Sequence, residues 1–286
     1  MSRTAWLNSA LAVVVAVLGA WAYFKPARDA PAAHPLSALK SSEAASIHIE
    51  RPGSAPISLE KKSGAWMMTA PFAARGDESR VRRLLEILEA RSAHRLAATD
   101  LSRFELDQPQ ARLTIGRQAF SFGMVSPVTR EQYLLTDGAV FAVHPNYGVA
   151  LPAHPAEMAS PRLLGPAEKP VRIELRAFVV EQRDGKWTQT PAAKDPSQDD
   201  FLRWVELWQI ASAARVEPYA GGKPVETIRI RLQNGGTLEL GVLARAPELI
   251  LLRPDEKLQY HFRPELAKRL LSPPGSGDPG KPAGKK

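Results

Sequence analysis

The residues that could support metal or acid–base chemistry are six histidines, and their spacing matches no familiar ligand pattern. They are His34, His48, His94, His144, His154 and His261. No zinc-protease helix motif occurs, and the chain has no cysteine to supply a thiolate. His48 and His261 occupy polar positions of alternating segments, which predicts that both face solvent. The sequence therefore predicts no metal site and no cofactor.

Other patterns that resemble catalytic motifs each lack an essential part. The Gly-Gly-Lys segment at 221–223 is followed by Pro224 and a predicted strand, whereas a phosphate-binding loop continues through Ser or Thr into a helix. Asp199 and Asp200 are neighbours on a predicted helix, so their side chains diverge by about 100° and do not share a site. No Gly-x-Ser-x-Gly nucleophile elbow is present. These observations predict a protein that is not an enzyme.

A candidate binding loop lies at 144–148, where the sequence reads His-Pro-Asn-Tyr-Gly. Its candidate side chains are His144, Asn146 and Tyr147, because the loop mixes polar and aromatic groups that could contact a ligand. The same composition is typical of a plain turn, which is the alternative interpretation.

The net charge of +8 does not indicate a nucleic-acid partner. Residues 1–30 and 272–286 each contribute +2, which leaves +4 for the whole body of the chain. A groove that follows phosphates needs concentrated Lys and Arg, and no segment of the body has that density.

The amino-terminal segment 5–24 contains no charged residue. Twenty residues at about 1.5 Å each span roughly 30 Å, the thickness of the hydrocarbon core of a bilayer. Trp6 at one end and Trp21, Tyr23 and Phe24 at the other suit the headgroup region. The segment predicts a transmembrane anchor with residues 1–4 left in the cytoplasm. The alternative is a cleaved signal peptide, since Ala-Trp-Ala at 20–22 has the form of a cleavage site.

Both interpretations of the amino terminus place the rest of the chain outside the cytoplasm. Residues 25–45, rich in Pro and Ala, predict an extended spacer. Two compact modules are expected at 46–165 and 170–271, since 286 residues exceed the usual size of one domain. Residues 272–286 contain Pro, Gly, Ser and Lys without an apolar pattern and predict a disordered tail.

Two segments repeat the i, i+3, i+4, i+7 apolar spacing of one helix face. Each residue of the first has its counterpart 120 residues later. The pairs are Val81 and Phe201, Leu84 and Trp204, Leu85 and Val205, and Leu88 and Trp208. The pattern predicts equivalent amphipathic helices over 80–95 and 200–215, with both tryptophans in the core. On the polar faces, Arg83 with Glu86 and Arg203 with Glu206 have the spacing of surface ion pairs.

Upstream of each predicted helix, alternating segments flank a turn, Ser-Gly at 63–64 and Asp-Gly at 184–185, which predicts hairpins. Downstream, each copy continues with four predicted strands and a terminal helix that ends Arg-Leu-Leu, at 162–164 and 269–271. The predicted fold is therefore α+β, with two tandem copies of an antiparallel sheet and helix behind one transmembrane helix.

The Gly-x-Trp turn that leads from Gly64 to Pro71, the segment Phe-Glu-Leu-Asp-Gln-Pro at 104–109, and the Tyr strand before Asp137-Gly138 resemble a bacterial family, domain of unknown function 4340. The resemblance covers roughly 47–164. The second copy lacks the Leu-Asp-x-Pro element. The resemblance implies a protein anchored by one amino-terminal helix and often encoded beside ABC transporter components of the gliding-motility type, and it supplies no catalytic residues.

These features together predict a non-enzymatic accessory or scaffold protein of the bacterial envelope, with an ABC-type transporter as a candidate partner. It would be a single-pass protein of the inner membrane with most of the chain in the periplasm. The alternative is an extracytoplasmic module that binds a small molecule or glycan between the two copies.

Overall fold

The computed structural model describes residues 6, 13–17, 33–192 and 196–275. Most of the predicted anchor 5–24, residues 25–32 of the predicted spacer and residues 276–286 of the predicted tail lie outside the described residues. Trp6 and residues 13–17 are helical. In the described part of the chain, no helix combines the length and hydropathy needed to cross a bilayer.

The first half of the described chain is mainly β-structure with short helices. Its helices are α1 (Glu78–Leu85) and α2 (Asn146–Val149), and 3₁₀ turns occur at Ser41–Glu43, Glu86–Glu89, Leu101–Phe104 and Pro155–Met158. Its strands are β1 (His34–Pro35), β2 (Ser46–Glu50), β3 (Ile57–Lys62), β4 (Ala65–Ala70), β5 (Ala74–Arg75), β6 (Arg91–Ser92), β7 (Arg95–Ala97), β8 (Ala111–Ile115), β9 (Gln118–Val125), β10 (Gln132–Thr136) and β11 (Ala139–Val143).

The second half has a similar mixture, with two helices, α3 (Gln198–Ile210) and α4 (Pro264–Leu271). Its strands are β12 (Pro170–Glu174), β13 (Val179–Arg183), β14 (Lys186–Thr190), β15 (Arg215–Pro218), β16 (Glu226–Leu232), β17 (Thr237–Ala244), β18 (Leu249–Arg253) and β19 (Leu258–Phe262).

The strands form two large antiparallel sheets. The first has the order β5-β4-β3-β2-β8-β9-β10-β11-β7, and the second has the order β14-β13-β12-β16-β17-β18-β19-β15. With β5 set aside, the two orders correspond strand by strand. The last strand of each order, β7 or β15, follows the helix in sequence and was not predicted. A separate pairing joins β1 to β6.

The predicted hairpin turns are confirmed. Both central residues of each turn have positive φ, at 50° and 86° for Ser63 and Gly64 and at 50° and 78° for Asp184 and Gly185. This is the turn type whose twist matches a two-residue antiparallel hairpin. The registers agree, since Lys62 pairs with Ala65 and Arg183 with Lys186.

The predicted apolar stripes are confirmed as core. All eight stripe residues are buried. The helices themselves differ in length, because α1 gives way to a 3₁₀ turn at Glu86, whereas α3 continues to Ile210. Both begin at a side-chain cap: Asp77 accepts hydrogen bonds from the N–H groups of Ser79 and Arg80, and Ser197 accepts one from that of Asp200.

The prediction of a terminal helix at 162–164 is wrong, whereas 269–271 is helical as expected. Pro161 and Pro166 bracket the first segment and disfavour a helix there. The backbone instead runs beside residues 211–213 of the second half, where Leu163 N–H donates to the Ala211 carbonyl at 3.1 Å and Ala213 N–H to the Pro161 carbonyl at 2.8 Å.

A single cluster of buried apolar side chains runs through both sheets and their helices. A smaller cluster on the opposite face of the first sheet contains Phe104, Leu106 and Val140. Since Val140 and Phe141 alternate along β11 and belong to different clusters, the first sheet is covered on both faces there. The segment Phe-Glu-Leu-Asp-Gln-Pro at 104–109 provides this second cover.

The outer face of the second sheet carries ion pairs instead. Arg172 lies 2.7 Å from Glu181 and Arg229 lies 3.0 Å from Glu239, each pair between neighbouring strands. The second half of the chain, which lacks the Leu-Asp-x-Pro element, therefore carries charged side chains on the outer face of its sheet.

Candidate functional site

The structure brings the three predicted binding residues together in one cleft. His144, Asn146 and Tyr147 line a cavity of about 440 Å³ together with Arg83 of α1, Glu86 of the 3₁₀ turn that follows it, and Val149 and Ala150. The cleft lies between the polar face of α1 with its 3₁₀ turn and the short helix α2. Sequence reasoning missed Arg83 and Glu86, because their spacing indicated only a surface ion pair.

Backbone contacts fix the position of the candidate loop. Asn146 N–H donates to His144 Nδ1 at 3.3 Å, and Tyr147 N–H donates to the His144 carbonyl at 3.4 Å. Gly148 lies directly against β10, since an added Cβ would stand 2.1 Å from Gln132 Oε1. The Gln132 amide in turn donates to the Gly123 carbonyl at 3.1 Å. The loop therefore rests on the sheet rather than extending from it.

The polar groups of the cleft are not satisfied by one another. In residues 33–192 and 196–275, no hydrogen bond or ion pair involves the side chains of Arg83, Glu86, Asn146 or Tyr147. Val149 beside them is 80% exposed. The expected Arg83–Glu86 pair is thus absent there, and Arg203 of α3 pairs with Asp200 at 2.8 Å rather than with Glu206. Unpaired donors and acceptors beside an exposed apolar side chain suit the recognition of a polar or peptide-like ligand.

A second cluster of polar residues lies between the two sheets, and its centre is Arg253. The side chain is 4% exposed and contacts Glu168 at 2.5 Å and Asp255 at 3.1 Å. It also donates to the Leu163 carbonyl at 2.6 Å. Arg253 closes β18, whereas Glu168 and Leu163 precede β12, so the guanidinium ties the connecting segment to the second sheet.

Arg75 extends this cluster into the first sheet. From β5 it reaches Glu256 at 2.5 Å, the Tyr260 hydroxyl at 3.1 Å and the Arg162 carbonyl at 2.7 Å. The Tyr260 hydroxyl donates to the other Glu256 oxygen at 2.5 Å. We call Arg75, Glu168, Arg253, Asp255, Glu256 and Tyr260 the junction cluster. No pattern in the sequence indicated it, because its members are up to 185 residues apart.

The electrostatics of the junction cluster favour a structural role. Burial opposes ionisation of Glu168, but hydrogen bonds from Arg253 and from Gly165 N–H hold its pKa below the usual range. Burial and the neighbouring Glu256 carboxylate raise the pKa of the Tyr260 hydroxyl. The Glu168 carboxylate thus stays ionised and paired with Arg253 while the Tyr260 phenol stays protonated, which stabilises the junction.

The prediction that His261 faces solvent is wrong. The residue is buried, with Nδ1 3.1 Å from Glu248 and Nε2 3.4 Å from Glu217. The unpredicted strand β15 covers it, because Arg215 pairs with His261 across the two strands. His48 is half-exposed and bonds to Ser58 at 2.9 Å. Over the described residues, no three or more His, Asp or Glu side chains are arranged to hold a metal ion.

The sequence pattern of the family described as Domain of unknown function (DUF4340) matches residues 66–219, more than half of the chain. This chain belongs to the DUF4340 family. The DUF4340 match begins inside β4 and ends just beyond β15. It therefore includes the whole candidate cleft and two residues of the junction cluster, Arg75 and Glu168. The matched range 66–219 starts and ends later in the chain than the range 47–164 over which the sequence resembles the family. No curated protein and no solved structure matches the chain.

Proposed function

We propose that this DUF4340 protein is a non-enzymatic accessory or scaffold subunit of the bacterial envelope that binds a protein partner through the cleft formed by α1 and α2. The observation that carries the proposal is the cleft itself, where Arg83, Glu86, Asn146 and Tyr147 have no partner within the described chain. Exposed groups of both charges, an amide and a phenol complement a peptide segment more readily than an apolar ligand.

The body of the protein is, in this proposal, one module present twice. The matching strand orders and turn geometries support it, and so does a hydrogen bond that the sequence did not predict. Trp66 N–H donates to Glu78 at 3.0 Å and Trp187 N–H donates to Gln198 at 2.9 Å, in each case joining the hairpin to the first residue of the helix. The same hydrogen bond between hairpin and helix in both halves of the chain is difficult to explain by chance resemblance.

A scaffold role also requires that the two modules keep a fixed relation. The continuous apolar core and the junction cluster supply it, because Arg75 contributes from the first sheet and Arg253 from the second. A rigid body of this kind can present one surface to a partner without paying to order it on binding.

The proposed location is the inner membrane, with the body in the periplasm. Its support is the uncharged segment 5–24, long enough to span a bilayer, and the family resemblance described above. That resemblance also makes an ABC-type transporter the partner class that we propose. The segment itself lies largely outside the described residues.

The test is crosslinking in intact membranes followed by affinity purification, with two matched double variants. Arg83→Ala with Glu86→Ala removes the charges of the cleft, whereas Arg203→Ala with Glu206→Ala changes the same types of residue on the equivalent helix. We expect the first variant to lose a specific transporter-type partner and the second to retain it. Equal recovery of that partner by both variants, or purification of the wild type alone at native abundance, would contradict the proposal.

A second candidate function is the binding of a small molecule or glycan. The 440 Å³ volume of the cleft favours it, although the cleft belongs to the first module. The region between the modules, where such a site was expected, holds the junction cluster. Native mass spectrometry of protein purified from its own membranes distinguishes the two functions: a bound small molecule lost with Arg83→Ala would favour this alternative over the protein partner.

A further inference from the structure

The sequence predicts a spacer over 25–45, but the structure packs residues 33–45 against the first sheet. Leu36 is 2% exposed and belongs to the apolar core. The Ser37 hydroxyl donates to the Gln118 side chain of β9 at 3.4 Å. This part of the chain is therefore a component of the folded body.

Residues 25–32 are then all that separates the packed body from the predicted anchor 5–24, and we call them the tether. The chain from residue 24 to residue 33 can span at most about 32 Å, because an extended residue covers no more than 3.3–3.6 Å. This limit depends only on the number of residues and holds for any conformation of the tether.

The tether joins the body beside the candidate cleft. His34 pairs with Ser92, and the Ser92 hydroxyl donates to the Ala142 carbonyl at 2.6 Å. His144, which lines the cleft, follows Ala142 by two residues. Since paired strands lie about 5 Å apart and extended residues rise about 3.3 Å each, these steps place His34 within roughly 20 Å of His144.

The tether is shorter than the body is wide. A globular body of about 240 residues has a radius of gyration of roughly 18 Å, which corresponds to a sphere about 46 Å across. If the side opposite the tether rested on the bilayer, residue 33 would stand about 46 Å above it, beyond the reach of about 32 Å. The proposed anchor therefore keeps the side that carries the cleft toward the membrane.

We infer that the cleft faces the bilayer and that its partner is an integral membrane protein, which contacts the cleft with residues at the membrane surface. The inference rests on the function proposed above and adds the direction of the cleft and the part of the partner that it meets. Arg83, Glu86 and the exposed Val149 suit a surface with both charges and apolar side chains. A membrane protein presents charged side chains beside amphipathic aromatic ones where its helices leave the hydrocarbon.

Energy transfer tests the direction of the cleft, with the full chain reconstituted in liposomes whose headgroups carry an acceptor dye. The chain has no cysteine, so Val149→Cys or Val225→Cys places a single donor dye. The two valines are matched, since they are 80% and 72% exposed, but Val225 precedes β16 of the second sheet. We expect higher transfer from position 149, and loss of that excess when about 24 added Gly and Ser residues lengthen the tether beyond the width of the body.

Photo-crosslinking from position 149 in intact cells tests the class of partner. Mass spectrometry of the adduct identifies the crosslinked peptide of the partner. We expect this peptide to adjoin a membrane-spanning segment.

Equal or lower energy transfer from position 149 than from position 225 would contradict the direction of the cleft. An excess that survives the longer tether would mean that the cleft binds the lipid surface rather than a protein. An adduct with a soluble protein would contradict only the class of partner, whereas the absence of any adduct from position 149 would contradict the proposed function itself.

Discussion

At the scale of single residues, the structure is organised around arginines with different surroundings. Arg253 is buried and paired with two carboxylates, Arg51 is partly buried and bonds to the Leu151 carbonyl, and Arg83 lies exposed in a cleft without a partner among the described residues. The first stabilises the fold, whereas Arg83 is the one that we propose contacts a partner. Sequence alone could not separate these roles, because the partner of each arginine comes from a distant part of the chain.

Removing the guanidinium of Arg253 should be strongly destabilising. Arg253→Gln leaves Glu168 and Asp255 without their common partner, and breaking a buried pair in this way costs about 3–5 kcal/mol of the free energy of unfolding. The matched control is Arg229→Gln on the exposed face of the second sheet, which should cost less than about 1 kcal/mol. Urea denaturation measures both. Similar costs for the two variants would mean that the junction cluster is not important for stability.

Glu168 should make stability depend on acid pH. Its pKa is lowered in the folded state, so the unfolded chain binds more protons near the ordinary Glu pKa of about 4.3. The stabilisation that ionised Glu168 provides is complete above that pH, and it is lost as the pH falls through the lowered pKa of Glu168 in the folded state. Glu168→Gln should abolish this part of the decline between pH 5 and pH 3, as measured by urea midpoints. An unchanged slope in the variant would contradict the assignment.

At the scale of elements, local patterns predicted the hairpins and the apolar faces of the helices, but the predicted helix ends at 95 and 215 are wrong, since Arg95 and Arg215 lie in β7 and β15. Turn residues and apolar periodicity act over a few positions, so the Ser63-Gly64 and Asp184-Gly185 turns and both stripes are readable from the sequence. The strands β7 and β15 are not, because their pairing with β11 and β19 depends on partners at least forty residues away. The helix predicted at 162–164 is wrong because the backbone of this part of the chain bonds to residues 211–213, which are distant in sequence.

Gly123 in the first sheet and Gly241 in the second should both tolerate an added side chain poorly. An added Cβ would stand 2.2 Å from the Phe104 carbonyl at Gly123 and 2.6 Å from Pro224 Cγ at Gly241. Gly123→Ala and Gly241→Ala should therefore each cost roughly 1–3 kcal/mol, as overpacking does. Gly236→Ala, where the nearest neighbour is the Asn234 side chain at 3.1 Å, is the control and should cost much less. Thermal unfolding of the three variants measures the difference, and a neutral Gly123→Ala would show that the covering segment can move away.

At the scale of the whole molecule, the shared core makes the two large sheets and their helices one folding unit. Since the apolar cluster is continuous and Arg75 bonds to Glu256 across the junction, we expect a single cooperative transition in calorimetry, with equal calorimetric and van't Hoff enthalpies. Two separate transitions, or a module that folds alone with the stability of the whole, would contradict this expectation. The sequence predicted two modules but gave no indication of how they are joined.

The central claim is that the cleft between α1 and α2 binds a protein partner in the envelope. The most direct measurement places a photo-crosslinking amino acid at Asn146 in living cells, with Glu206 on the equivalent helix as the control position. We expect a discrete adduct with a membrane protein from position 146 that is absent from position 206 and is reduced by Arg83→Ala with Glu86→Ala. The same adducts from both positions, or none from position 146 at native expression, would contradict it.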